Sequence, residues 1–160
     1  MEGSQLEDAD ILRAFATSGA RVLLIGRRAI VALGIPAVTS DYDVWVHIDD
    51  IEKLNAAFAA LDYYPSCSPP EARTRGRYVL EDGEHIDVLI SRSRTAPDGT
   101  FLDFEGAWGR RQSIDIGPGL SIFLPSIADL ITTKLWGSRP KDLIDIEHLE
   151  ALRQSKEREP

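Results

Sequence analysis

A single cysteine, Cys67, stands in 160 residues, so no internal disulfide can form and a reducing compartment is the default expectation. Also missing is any run near the roughly 20 apolar residues of a membrane span. The opening MEGSQLEDAD is acidic and holds no apolar segment. A cytoplasmic protein without membrane contact is expected. Basic charge is scarce: 18 Lys and Arg against 26 Asp and Glu leave a formal charge of -8. Coating long nucleic acid takes many Lys or Arg contacts to phosphate, so extended DNA binding is not expected, although a local basic rim is compatible with the composition. The arginines between 71 and 111 are interleaved with Asp and Glu and read as a mixed, solvated surface. Zinc-ligand spacing, internal repeats, low-complexity tracts and a dividing linker are absent as well.

What is present suits one α/β (α+β) domain over residues 1–160, with its core over about 20–153, since 43% hydrophobic and 28% charged residues lie in the ordinary globular range. The informative stretch is LLIGRRAIVALGIPAVTSDYDVWVHI, Leu23 to Ile48. It reads as a buried strand breaking at Gly26, a helix over Arg27 to Leu33, a Gly-Pro loop, and a strand opening with Asp41-Tyr42-Asp43. Side chains alternate along a strand, so Asp41 and Asp43 are expected on one face and Tyr42 on the other. Two carboxylates so close repel, and a divalent cation with oxygen ligands relieves them. On a later strand His85, Asp87 and Leu89 share one face, and Asp87 interrupts an otherwise apolar strand.

The remaining pattern predicts a small mixed sheet with helices packed against it. A first helix carries Leu6, Ile11, Leu12 and Phe15, and Val22 to Ile25 reads as a central strand covered on both faces. Asp49 or Asp50 is placed to cap a helix bearing Ile51, Leu54, Phe58 and Leu61. The Pro- and Ser-rich Tyr64 to Arg75 reads as an exposed loop, and EDGE as the turn of a hairpin. A second hairpin is expected around Gly117-Pro118-Gly119. Pro125, Ser126 and Asp129 start a helix that carries Lys134, and a last helix from about 141 to 153 presents Leu143, Ile146, Leu149 and Leu152 as its apolar face.

In order, then, come a glycine turn entering a helix (Gly26-Arg27), Thr39-Ser40 before Asp41-Tyr42-Asp43, Asp87 on a neighbouring strand, and DLITTKLWGSRPKDLIDIEHL. From about Val22 to Leu152 this resembles a minimal nucleotidyltransferase of the DNA polymerase β superfamily, near the bacterial AbiEii-type and related toxin–antitoxin nucleotidyltransferases. The resemblance implies an enzyme that moves a nucleoside monophosphate from an NTP, such as ATP, to an acceptor hydroxyl on a partner protein, a tRNA end or a small molecule. It implies two magnesium ions held by Asp41, Asp43 and Asp87, with Asp87 also helping to deprotonate the acceptor. Gly26, Arg27, Ser40 and Lys134 would form the nucleotide-binding set.

Each residue also has a structural reading. An isolated Asp-x-Asp is a turn and solvated strand end, Asp87 could be an exposed hairpin residue, and Lys134 could be salt-bridged. Arg139, Asp142 and Asp145 read as an ion-pair and capping group between the last two helices. Arg27 replaces the small residue common in the family, and it could either add a charged phosphate contact or fill the phosphate site. The second case would make the chain a catalytically degenerate, partner-binding protein; a nucleotide sensor that binds NTP and transfers nothing is a further alternative. The acceptor, nucleotide preference and oligomeric state are open at this level.

Overall fold

The computed structural model describes residues 2–137 and 139–158, with side chains from residue 8 onward; the predicted core position Leu6 lies outside the described side chains. The elements run α1 (Glu2–Thr17), β1 (Val22–Ile25), α2 (Gly26–Ala32), β2 (Tyr42–Val46), α3 (Ile51–Ala59), β3 (Tyr64–Pro65) and α4 (Pro69–Arg75). They continue through β4 (Arg77–Asp82), β5 (Glu84–Leu89), β6 (Ser93–Thr95), β7 (Phe101–Asp103), α5 (Phe104–Gly109), β8 (Gln112–Gly117), β9 (Leu120–Leu124), α6 (Ile127–Leu135) and α7 (Pro140–Glu157).

A mixed sheet in the order β1-β2-β5-β4-β3 forms the centre. Only β2 and β5 run parallel; the other neighbours are antiparallel. One face carries Tyr42, Val44, Val46, Tyr78, Leu80, Ile86 and Val88, all buried, in a core shared with Phe15 of α1 and Leu54 and Phe58 of α3. The alternating positions Asp43, Trp45, Asp87 and Leu89 belong to the opposite face. Trp45 closes one end of that face, edge-on to both Phe104 and Trp136. Such ring pairs contribute about 0.5–1.5 kcal/mol beyond the area they bury.

Four expectations change. The strand Val22–Ile25 is fully buried but lies at the edge of the sheet, where β9 packs against it. Continuous apolar runs report burial, whatever buries them. Residues 64–75 are an edge strand and a helix: Ser68 Oγ accepts from the Glu71 N–H, Pro69 and Pro70 fill the first turn, and Gly76 closes the helix in the left-handed region at φ +80. Proline marks a helix start here, since first-turn N–H groups have no intrahelical partner. Asp50 does not cap α3. Its buried carboxylate accepts from the Arg21 N–H and Nε at 2.8 Å each, while His47 Nδ1 caps the turn by accepting from the Asp49 N–H. Finally, α7 extends to Glu157 and leaves Leu143 57% exposed, so that residue belongs to no packed face.

Candidate active site

Strand pairing brings the two most informative carboxylates together. β2 and β5 are parallel neighbours with Asp43 registered on Asp87, on the same face of the sheet. Asp43 also pairs with Ile25, the last residue of β1, so the chain reverses into α2 directly beside it. Gly26 makes that reversal at φ +70, a conformation costly to any residue with a Cβ. A Cβ on Gly26 would stand 2.7 Å from Asp43 Oδ2 and 3.2 Å from Asp43 Cβ. The glycine thus serves two purposes: the turn and the space for the carboxylate.

Burial raises the Asp43 pKa, and the charges of Asp87 and Asp41 raise it further, to about 6; Lys134 opposes this. A carboxylate disfavoured by its like-charged neighbours is a site that gains from a cation. Oxygen donors on adjacent strands suit a hard divalent ion. Asp41 is less closely joined. It precedes β2 rather than opening it, is exposed, and has its N–H bonded to Thr39 Oγ1 at 3.1 Å. Among the described residues no group of three or more His, Cys, Asp and Glu is gathered to hold a metal ion. The structure thus unites Asp43 with Asp87 and keeps Asp41 at the rim.

Lys134 and Arg27 are committed to carboxylates of α7. Lys134 Nζ lies 2.8 Å from Asp145 Oδ2 and 3.6 Å from Asp142 Oδ1, and Arg27 Nη2 lies 3.1 Å from Asp145 Oδ1. Asp142 caps the start of α7 by accepting from the Arg139 N–H and Nε, both at 3.0 Å, an ion-pair and capping group of the kind the spacing of these residues predicts. Burial pushes the Asp142 carboxyl up, but hydrogen bonds from Arg139 and the charge of Lys134 outweigh it, and the net displacement is downward. Asp142, Asp145 and Lys134 are 1%, 2% and 8% exposed, so three cations share two desolvated carboxylates under the site.

Two hollows meet at Asp43. One, of ≈ 310 Å³, is lined by Arg27, Ser40, Asp41, Lys134, Arg139 and Lys141. The other, of ≈ 400 Å³, runs from Gly26, Asp43 and Asp87 past Arg77 and Arg94 to Trp136. Gly26, Arg27, Ser40 and Lys134 therefore all line the combined cleft, with Ser40 exposed on its rim. Sequence reasoning missed Arg94 and Trp136. No local motif marks them, because β6 and the end of α6 meet only in the folded chain. His85, an ordinary strand residue by its pattern, has Nε2 3.9 Å from Asp87 Oδ2. Their shared face was the available signal.

Superposition on solved structures shows that the chain has the nucleotidyltransferase fold. TM1012 from Thermotoga maritima, a presumptive nucleotidyltransferase, superposes with a TM-score of 0.59 at 16% identity, over 99% of this chain and 94% of that one. ANT(2'')-Ia, solved with adenylyl-2''-tobramycin, gives 0.65 at 15% identity over 98% and 92% of the respective chains. The lincosamide antibiotic adenylyltransferase LnuA, solved with lincomycin, gives 0.57 at 16% identity over 94% and 96%. At such identities the shared property is the fold. No protein-family profile matches the sequence, and no curated protein matches it. Among the described residues, no helix is long and apolar enough to cross a membrane.

Proposed function

We propose that this chain is a magnesium-dependent nucleotidyltransferase that moves a nucleoside monophosphate from an NTP to a hydroxyl of a small-molecule acceptor. The observation that carries the reading is the registered pair Asp43–Asp87 beside the left-handed Gly26. The solved neighbours, one in complex with adenylyl-2''-tobramycin and one bound to lincomycin, support a small acceptor over a toxin–antitoxin partner protein or a tRNA end.

Asp43 and Asp87 would hold magnesium, with Asp41 reaching in from the rim; the ion supplies charge neutralisation at the phosphates and the leaving group. The residues of the chain do the rest. The hollow lined by Arg27, Ser40, Lys134, Arg139 and Lys141 receives the triphosphate, which meets these cationic side chains once Asp43 is neutralised by magnesium. Gly26 keeps the backbone low beneath Asp43. The acceptor hydroxyl oxygen attacks the α-phosphorus, the new O–P bond forms as the α–β P–O bond breaks, and pyrophosphate leaves with that electron pair. Asp87, half-buried with a face open to the larger hollow, accepts the hydroxyl proton.

Calorimetric titration with ATP and the other NTPs, with and without magnesium, tests this. Binding that requires magnesium and disappears in Asp41→Asn/Asp43→Asn is expected; equal binding in that folded variant would sink the assignment. The ion pairs that occupy Arg27 and Lys134 favour one second reading, a fold that binds nucleotide without transferring it. Magnesium-dependent binding with no pyrophosphate released on any acceptor would select it.

A further inference from the structure

The larger hollow has a charge pattern that the transfer chemistry does not use. Of its cations, Lys134 is spent on Asp145 and Asp142, and Arg139 on Asp142. Arg77 and Arg94 are exposed, line the same hollow, and have no carboxylate partner among the described residues. Arg94 instead lies over the Trp136 ring, 5.0 Å from its centroid. Trp136 Nε1 is buried without a hydrogen-bond acceptor, leaving one unspent donor in the residue that forms this wall. Tyr78, by contrast, donates its hydroxyl to Asn55 and has none to spare.

The distances suit one small molecule. On β4, Val79 faces Asp87 and Arg77 faces Leu89, so Arg77 is two residues along the strand from the catalytic pair and on the same face. That step is about 7 Å, before the reach of the side chain. A hollow of ≈ 400 Å³ is in the range of small-molecule sites.

We infer that the acceptor is an anion: a hydroxylated phosphate or carboxylate whose hydroxyl lies at Asp43 and Asp87 while its acidic group is held by Arg77 and Arg94 beside Trp136. The inference rests on the nucleotidyltransferase reading and assigns the substrate class of that site. Guanidinium groups favour phosphate and carboxylate through paired N–H donors, and a polyamino sugar in the same place would meet two unneutralised positive charges.

The test separates the two hollows. Wild-type protein is first saturated with magnesium and a non-hydrolysable ATP analogue, which fills the triphosphate side. It is then titrated calorimetrically with glycerol 3-phosphate, ribose 5-phosphate and gluconate, and with glycerol and a polyamino sugar as contrasts. The anions should bind at least about tenfold more tightly than the contrasts, the scale of one charge-assisted hydrogen bond. Arg77→Ala/Arg94→Ala should lose that preference and keep its affinity for the ATP analogue. Anions no better than glycerol, or a preference unchanged in the double variant, overturns the inference and leaves nucleotide transfer standing. Loss of the ATP analogue in the double variant also overturns it, because the arginines would then serve the triphosphate. Failure of the wild type to bind the analogue overturns both readings.

Discussion

Replacing Asp43 by Asn should make the protein more stable at neutral pH while destroying magnesium-dependent nucleotide binding. The carboxyl has an ordinary value of 3.8 that burial and the neighbouring Asp87 and Asp41 raise to about 6. At about 1.4 kcal/mol per decade, keeping it ionised at pH 7 costs the folded state about 2–3 kcal/mol. The sign follows from proton uptake. Between 3.8 and about 6 the folded protein holds the Asp43 proton and the unfolded chain does not, so this group's contribution falls as pH rises through that window and is level above it. Asparagine is nearly isosteric and has no such dependence. Urea unfolding of both proteins between pH 4 and 8, without metal, gives the difference directly. It should be close to zero at the acid end and about 2–3 kcal/mol in favour of the D43N variant above about pH 6.5. Added magnesium should raise the wild-type midpoint and leave that of D43N in place, since a ligand stabilises only the state that binds it. A difference that does not grow with pH would refute the account of Asp43 as a carboxylate held at a cost in stability for its cation.

Two further substitutions probe the supports of the site. Gly26→Ala places a Cβ at φ +70 and 2.7 Å from Asp43 Oδ2; it should cost about 1–2 kcal/mol in urea unfolding from the backbone alone and weaken magnesium–ATP binding by pushing Asp43 aside. An Ala variant as stable as wild type would show that the turn is not held left-handed. Lys134→Met strands Asp145 and Asp142, 2% and 1% exposed, with fewer cations, and should cost about 3 kcal/mol, with Asp145→Asn in the same chain recovering part of it. Purely additive costs in that cycle would place Lys134 outside the network.

Much of the candidate site's geometry was legible because local rules govern it. A period of two along a strand separates Asp43 from the buried Tyr42, and an apolar strand interrupted by one Asp singles out Asp87. A glycine between a strand and a helix marks a tight reversal. The capping relation of Arg139 and Asp142 spans one helical turn, so sequence spacing contains it. Where local signals were ambiguous they misled in consistent ways. Prolines at 69 and 70 resemble loop residues unless the preceding serine is read as a cap, and an apolar run reports burial without saying whether a sheet or a hairpin provides it.

Tertiary structure alone decided which charged groups meet in the cleft. The parallel pairing of β2 with β5 joins strands far apart in the chain, and the register that sets Asp43 against Asp87 is a choice among packings that no local pattern encodes. The same holds for Arg27, whose bulk raised two opposite possibilities in the sequence. Its guanidinium is held by Asp145 of α7, which also takes Lys134; Lys134 in turn reaches Asp142, the partner of Arg139, and so joins the three cations in one charged network. Asp41 shows the converse: its place beside Asp43 in the sequence suggested a common ligand set, and a turn held by Thr39 leaves it at the rim. Short-range geometry is carried by residue type and spacing, while the meeting of distant charges is set by the packing free energy of the whole core.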